Sequence, residues 1–270
     1  MGDDRGAAAA VAEDRFLGVP LARLDVPGAA ATIAARDPAS PFAYVVTPNA
    51  QHFVRLGRDR DALLGDAYDH AWLRLCDSQV VRGLARLLFG KHLPHAAGSD
   101  LTAYMLAATI RPDDPVTVIG GSEELARRLR EKYRLTRLAL HSPPMGLARN
   151  AAALDDCVRF VVANPGRYVF LAVGMPVSEL LARRIQREGQ ATGVGLCVGS
   201  SLNFAVGIVN RAPPFFRRFG LEWLHRLAIN PRGHAKRIFV ESMPLLIMVA
   251  RARIDPHAYD RQPSDTGHRS

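Results

Sequence analysis

The sequence predicts an α/β fold, in which a Rossmann-like and mainly parallel sheet is flanked by helices and followed by a basic, amphipathic, helical C-terminal appendage. Two observations support this prediction. Short buried-type strands alternate with helices between residues 42 and 198, and polar residues follow directly after several of these strands. We expect residues 15–207 to form the α/β domain and residues 208–253 to form the appendage.

Composition limits the classes of protein to consider. The chain has 270 residues, of which 48% are hydrophobic and 23% charged, as in an ordinary globular protein with one sizeable core. Its net charge of +9 favours an anionic partner such as nucleic acid, acidic phospholipid or a phosphorylated substrate. Cys76, Cys157 and Cys197 lie far apart without a C-x-x-C pair, which predicts reduced, buried thiols in a cytosolic compartment.

No segment has the pattern of a membrane span or an export signal. The longest apolar run, residues 238–250, is interrupted by Glu241, Ser242 and Pro244. Residues 1–14 are rich in alanine and acids where a signal peptide needs positive charge, and we expect them, like residues 254–270, to be disordered. These features predict a cytoplasmic protein that binds the inner face of the membrane peripherally without crossing it.

The first strand that we predict covers residues 42–47, and a helix over residues 50–60 follows it. Thr47 and Asn49 therefore stand at the carboxyl end of a strand, where open α/β sheets bind their ligands. A hydroxyl and an amide at this position can bond a sugar or a phosphate. The alternative, which spacing alone favours, is that Asn49 only caps the helix.

The second strand, residues 71–76, ends at Asp77, and a helix over residues 80–89 follows. An aspartate at such a crossover can cap the helix or act as a general base. Farther along, either Ser99 or Asp100 is predicted to cap a helix that runs to residue 108.

Three further strands, 116–120, 168–173 and 193–199, end in glycine-containing turns. Gly120 and Gly121 open a helix and could cradle a phosphate, although such a glycine pair is more often only a tight turn. There is no full G-x-G-x-x-G fingerprint, which argues against a nicotinamide oxidoreductase. Ser200 and Asn203 follow the last strand and could contact a ligand or only their own loop.

The segment from 210 to 237 combines aromatic residues with a concentration of basic ones. From Leu221 its apolar residues recur at helical spacing. A helix of this kind can lie on an anionic membrane, or it can pack on the core with a solvated basic face. The residues that we expect at the membrane or at a lipid diphosphate are Arg211, Arg217, Arg218, Trp223, Arg226, Arg232 and Arg237.

These C-terminal residues also resemble a known family. Arg211-Ala212-Pro213, Leu221-Glu222-Trp223-Leu224 and Pro231-Arg232 match, in order and spacing, the ending of the WecG/TagA/CpsF glycosyltransferases (bacterial glycosyltransferase family 26), which extend lipid-linked sugars. Thr47-Pro48-Asn49 and Gly98-Ser99-Asp100-Leu101 also resemble segments of that family. The resemblance covers residues 42 to 240.

The resemblance implies an inverting transfer of a hexosyl unit from a UDP-sugar to a polyprenyl-diphosphate-linked saccharide, in the synthesis of exopolysaccharide or another cell-surface polymer. It implies no metal cofactor and gives Asp77 the role of base. The substrate contacts that it implies are Thr47, Asn49, His95, Ser200 and Asn203. The nucleotide contacts that it implies are Gly120, Gly121, Gly174, Pro176, Ser178 and Glu179.

The sequence departs from the family pattern at a few positions. His95 replaces an arginine, Ser78 a glycine, and Val177 and Ser178 a Lys-Gln pair. These departures leave open a second interpretation, in which the fold is kept and catalysis is altered or lost. A nucleic-acid-binding protein is a weaker alternative, because the basic charge gathers at one end and no known nucleic-acid motif is present. Trp223 and its aromatic neighbours could also bury in a homo-oligomer interface.

Overall fold

The computed structural model describes residues 11–57, 62–210, 213, 216 and 243–259. Its strands are β1 (Glu13–Phe16), β2 (Val19–Ala22), β3 (Ala43–Val46), β4 (Leu73–Arg74), β5 (Val116–Ile119), β6 (Leu138–His141), β7 (Tyr168–Leu171) and β8 (Val194–Cys197). Its α-helices are α1 (Val26–Ala35), α2 (Ala50–Leu56), α3 (Ala62–Asp69), α4 (Gln79–Phe89), α5 (Gly98–Tyr104), α6 (Glu123–Tyr133), α7 (Ala151–Ala163), α8 (Val177–Glu188), α9 (Ser201–Ala205) and α10 (Pro244–Ile254).

Six of these strands form one sheet with the order β4-β3-β8-β7-β5-β6. Every neighbouring pair in this sheet is parallel. Most of its strands are buried along their whole length, as expected for a parallel sheet covered by helices on both faces. The predicted α/β class with a mainly parallel sheet is therefore confirmed.

The sheet separates two apolar layers. Alternate residues of β3 show the division, because Tyr44 and Val46 face one layer and Val45 faces the other. Helices α2, α3, α4, α7, α8 and α10 contribute buried residues to the first layer. Helices α1, α5, α6 and α9 contribute to the second.

The helices that follow neighbouring strands leave the carboxyl edge of the sheet toward opposite faces. Strand β8 lies between β3 and β7. The helices after β3 and β7, namely α2 and α8, pack on the first layer, whereas α9, after β8, packs on the second. Loops that leave neighbouring strands toward opposite faces create the position at which open α/β sheets bind ligands.

Two described segments lie where the composition predicts disorder. Strand β1 begins at Glu13, inside the segment expected to be disordered, and pairs antiparallel with β2. The guanidinium of Arg23 hydrogen-bonds both carboxylate oxygens of Asp14 and holds the pKa of Asp14 below its ordinary value. At the other end, Ile254 closes α10 and Tyr259 packs against the first apolar layer. Residues 13–14, which were expected to be disordered, thus pair in a strand, and residues 254–259 include the end of α10 and a packed tyrosine.

The predicted cap of α5 is also wrong. Neither Ser99 nor Asp100 caps this helix, which begins one residue earlier, at Gly98, after Ala97 and without a side-chain cap. A Cβ on Gly98 would lie 2.8 Å from the Thr47 hydroxyl, so the glycine lets the helix start directly against the end of β3. The helix continues into a π-helical turn over Met105–Thr109.

The three cysteines are free and buried, as the sequence predicts. Burial raises the pKa of Cys76 to about 12 and that of Cys157 to about 11, and it also raises the pKa of Cys197. A raised thiol pKa lowers the fraction of reactive thiolate at pH 8.

We therefore expect all three thiols of the folded protein to react with a thiol reagent at pH 8 far more slowly than in the denatured chain. The measurement is the rate of colour release from an aromatic disulfide, with and without denaturant. Fast stoichiometric labelling of the folded protein would contradict the burial of these residues.

Candidate active site

The carboxyl edge of the sheet brings together the polar residues that follow β3 and β4. The backbone N–H of Asp77 donates to the carbonyl of Pro48 over 3.2 Å, which ties the two loops to each other. The backbone N–H of Ala96 donates to the carbonyl of Cys76 over 3.0 Å and brings the segment carrying His95 alongside. The loops after β3 and β4 therefore lie side by side at the carboxyl edge of the sheet, and they bring together Thr47, Asn49, Asp77 and His95.

Asp77 does not cap the helix that follows it. Ser78 is the N-cap of α4, and its hydroxyl accepts a hydrogen bond from the backbone N–H of Val81 over 3.2 Å. The serine that departs from the family pattern thus takes the capping role left open for Asp77. The side chain of Asp77 is half-buried beside the crevice, where a carboxylate can take up a proton.

His95 belongs to a hydrogen-bonded chain that supports the Asp77 loop. Arg82 donates to Gln79 Oε1 over 2.6 Å, so the amide nitrogen of Gln79 faces His95 Nδ1, at 3.4 Å. His95 Nε2 then lies 3.1 Å from the backbone carbonyl of Asp77, to which it donates. This pattern fits a neutral imidazole with its proton on Nε2. The permanent charge of Arg82 reaches His95 only through the intervening side chain of Gln79.

Thr47 and Asn49 lie at the end of β3 in different environments. The Thr47 side chain is nearly buried, and its hydroxyl lies 3.5 Å from the carbonyl of Cys197, at the end of neighbouring β8. Asn49 is half-buried and is the N-cap of α2, since its Oδ1 accepts from the backbone N–H of Gln51 over 3.1 Å. The capping role that spacing favours is therefore present.

Ser178 and Glu179 are buried in the first turn of α8. The Ser178 side chain donates to the carbonyl of Leu171 over 2.9 Å. Glu179 is 3% exposed, and its Oε1 lies 3.3 Å from Nε2 of His52. Both side chains therefore point into the protein from the first turn of α8.

Glycine turns follow β5 and β7 at the same edge, where Gly120 is buried, Gly121 is exposed and Gly174 is half-buried. Gly120 has a φ of 97°, and a Cβ there would lie 2.8 Å from the carbonyl of Ala172, so this turn requires glycine. Gly121 follows with a φ of 93°, immediately before the Ser122 cap of α6. Gly174 has a φ of 79° and precedes the cis peptide between Met175 and Pro176. The first turns of α6 and α8 thus begin at the carboxyl edge.

The remaining predicted contacts lie beyond β8. Ser200 is exposed immediately before α9, and Asn203 is half-buried within that helix. The carbonyl of Asn203 accepts from the backbone N–H groups of Ile208 and Val209, which fixes the exit of the chain. The predicted membrane residues Arg211, Arg217, Arg218, Trp223, Arg226, Arg232 and Arg237 lie outside the described residues.

The described ranges contain neither a metal-binding cluster nor a membrane-spanning helix. No set of three or more His, Cys, Asp or Glu side chains in these ranges is arranged to hold a metal ion. In the same part of the chain, no helix combines the length and the apolar character that crossing a bilayer requires.

Sequence reasoning missed the side chains that support the site. His52, Tyr68, Gln79 and Arg82 lie within helices or at their first residue, and nothing in their local pattern separates them from ordinary helical positions. One signal was available for His52, because it lies three residues after Asn49, where a capping-box partner stands. The pairing of His52 with Glu179 spans 127 residues and needs the fold to be seen.

Comparison with protein families identifies one family over most of the chain. The family model described as "Glycosyl transferase WecG/TagA/CpsF family" matches residues 15–259. The match includes both the α/β domain and the C-terminal segment whose motifs first suggested the family. The chain therefore belongs to the WecG/TagA/CpsF family of glycosyltransferases.

Proposed function

We propose that the protein is an inverting glycosyltransferase that moves a hexosyl unit from a UDP-sugar to a polyprenyl-diphosphate-linked saccharide. The observation that carries the proposal is the Asp77 carboxylate at the carboxyl edge, in a loop tied to that of Thr47 and Asn49. A carboxylate at this edge suits the single proton transfer that such a reaction requires.

The chemistry assigns one step to Asp77. The acceptor hydroxyl oxygen attacks the anomeric carbon of the donor, and the bond from that carbon to the β-phosphate oxygen of UDP breaks. The Asp77 carboxylate takes the hydroxyl proton, and UDP departs with the bonding electrons. Because attack and departure occur on opposite faces of the sugar, the anomeric configuration inverts.

The departing diphosphate needs positive partial charge at the oxygen that it carries away. The turn at Gly120 and Gly121 opens α6, and the turn at Gly174 and Pro176 opens α8. Exposed backbone N–H groups and helix dipoles at such turns favour a phosphate. Ser178 has its hydroxyl on the Leu171 carbonyl, so the Gly174–Pro176 backbone is the better candidate for contact with the nucleotide.

Helix α10 supports docking on a membrane. It packs on the core through Leu245 and Val249 and leaves Ile247 72% and Ile254 87% exposed. Arg251 and Arg253, in its last turn, are exposed beside these apolar side chains. Exposed apolar residues next to arginines are typical of a helix that lies on an anionic bilayer.

The first experiment is a donor screen. Detergent-solubilised protein is mixed with a synthetic polyprenyl-diphosphate saccharide and a panel of UDP-hexoses, and the product is detected by mass. Turnover of one donor supports the proposal and identifies the sugar. Silence across the panel from folded protein would instead favour altered or lost catalysis, for which the Val177, Ser178 and His95 departures are the motive.

A vesicle assay tests the peripheral membrane site. We expect the triple change of Arg217, Arg218 and Arg226 to Glu to abolish sedimentation with anionic vesicles, because each basic residue near such a surface contributes about 1 kcal/mol. Circular dichroism should show an unchanged α/β core. A matched Glu triple at Arg127, Arg130 and Arg137, at the other side of the sheet from α10, should retain most of the binding. Undiminished binding by the first variant would refute the docking surface.

A further inference from the structure

A buried chain of three side chains joins the start of α8 to the end of β3. Glu179 Oε1 lies 3.3 Å from His52 Nε2, and His52 Nδ1 lies 2.9 Å from Asn49 Oδ1. Nδ1 also lies 3.2 Å from the backbone nitrogen of Asn49. Exposure rises along this chain, since Glu179 and His52 are buried and Asn49 is half-buried at the crevice.

The contacts of His52 fix which nitrogen carries a proton toward Glu179. In the neutral ring, Nδ1 accepts from the backbone N–H of Asn49 over 3.2 Å and Nε2 carries the hydrogen. The 2.9 Å contact between Nδ1 and Asn49 Oδ1 then joins two acceptors and is not a hydrogen bond. In the protonated ring, Nδ1 donates to the Asn49 amide oxygen, and Nε2 again carries a hydrogen. In both forms the Nε2–H group donates to the carboxylate of Glu179, which can only accept when ionised.

The same contacts fix the orientation of the Asn49 amide. The backbone N–H of Gln51 is a donor, so the amide must turn its oxygen toward it, at 3.1 Å. The amide NH2 group then points to the other side, and it donates to no side chain or carbonyl in the described ranges. A half-buried asparagine at a strand's carboxyl end thus presents a donor whose direction is held by its neighbours.

Stability alone does not explain why a carboxylate is buried at Glu179. Its Oε2 atom is buried and accepts no hydrogen bond from the described residues, and the hydroxyl of nearby Tyr68 is likewise buried and unbonded there. Burial first, and the charge of Glu179 second, raise the pKa of Tyr68 well above its ordinary value. An apolar residue at position 179 would avoid the desolvation of the charge, so the carboxylate points to a role beyond packing.

We propose that Glu179 is a positioning residue, which holds the His52 ring as an Nε2–H donor so that Nδ1 fixes the backbone of Asn49, while the backbone N–H of Gln51 turns the Asn49 amide so that its NH2 group is aimed at a sugar hydroxyl. The proposal rests on the proposed function in one respect, namely that a sugar binds at this edge. It gives Glu179 a role through His52 and Asn49 in place of a direct contact with the nucleotide. Outer partners of this kind act by fixing the tautomer and direction of the group that they bond.

The first test observes the imidazole directly and needs no substrate. The protein is labelled with 15N-histidine, and the His52 signals are identified by their loss in His52→Gln. We expect a protonated Nε2 from pH 6 to 8 in the wild-type protein and in Glu179→Gln, which keeps an oxygen acceptor at the same place. In Glu179→Leu the two tautomers should exchange. An unprotonated Nε2 in the wild-type protein, which requires no variant to fold, would overturn the proposal.

The second test is a double-mutant cycle on the transfer reaction. We expect Glu179→Leu to lower kcat/KM by about 10- to 100-fold and Glu179→Gln to stay within about fivefold of wild type. In a protein that already carries Asn49→Ala, adding Glu179→Leu should lower kcat/KM by less than about threefold, because the group that Glu179 positions is already gone. Glu188→Leu, at the exposed end of the same helix, is the matched control and should leave activity unchanged.

The two tests separate the two proposals. Equal losses from Glu179→Leu with and without Asn49 would show that Glu179 does not act through Asn49 and would overturn the inference. A fixed Nε2–H in a protein that transfers no sugar at all would leave the positioning geometry intact and count against the proposed function alone.

Discussion

Replacing Asp77 with Asn is expected to lower turnover by about 10²- to 10⁴-fold, the range in which a general base contributes. Asparagine has nearly the same shape as aspartate, but its amide cannot take the proton of the acceptor hydroxyl. The measurement is kcat for the donor identified in the screen, at saturating acceptor. Because the base acts on the reacting hydroxyl, kcat should fall much more than the KM for the UDP-sugar rises.

The structure also predicts what this substitution leaves unchanged. Ser78, and not Asp77, caps α4, so Asp77→Asn removes no helix cap, and its melting temperature should stay close to that of the wild-type protein. Asp113→Asn, in the exposed turn before β5, is the matched control and should keep full activity. Retention of more than a tenth of the wild-type kcat by Asp77→Asn would show that another group takes the proton.

The strands and the residues at their ends could be predicted from sequence because the signals are local. Residues 43–46, 116–119, 168–171 and 194–197 are short apolar runs, and each lies inside a strand that the pattern predicts. A parallel sheet then brings the ends of such strands to one edge without further information. This is why Asn49 and Asp77 could be assigned to the same edge of the sheet before any contact was known.

The order of the strands and the supporting contacts could not be predicted in this way. Strand β8 inserts between β3 and β7, and this position decides that the Thr47 hydroxyl meets the carbonyl of Cys197. Glu179 shows the same limit, since the family resemblance implied contact with a nucleotide, whereas its carboxylate pairs with His52. Long-range pairing depends on packing, which local periodicity does not encode.

The hairpin at the start of the chain shows why composition can mislead. Residues 1–14 are alanine-rich and acidic, which predicted disorder, yet Glu13 and Asp14 pair with β2. The acids themselves contribute to this order, because Asp14 bonds Arg23 and Glu13 bonds Arg74. An acidic residue that the composition assigns to a solvated, disordered segment can instead form an ion pair in the folded protein.

Arg74 is the residue whose loss should cost the most stability. It is 8% exposed in the edge strand β4, and its guanidinium donates to the carbonyls of Pro20, Tyr68 and Ala71 and to the carboxylate of Glu13. It thereby joins the N-terminal hairpin and the end of α3 to the sheet. Removing it takes a donor from each of these carbonyls, of which that of Tyr68 still accepts from the backbone N–H of Ala71 at 3.4 Å, and polar groups cost free energy when burial leaves them unpaired.

We expect Arg74→Met to lower the free energy of unfolding by about 3–5 kcal/mol, as when one partner of a buried ionic network is removed. Arg74→Lys should fall between Met and wild type, because one ammonium group cannot reach carbonyls on several sides at once. Glu13→Gln removes only the charge of a carboxylate that is 33% exposed, and it should lower the free energy of unfolding by about 1 kcal/mol or less. Urea unfolding at pH 7 measures the free energy of unfolding of all three variants. If Arg74→Met lowers it by less than about 1 kcal/mol, these carbonyls find other donors and the hairpin does not depend on Arg74.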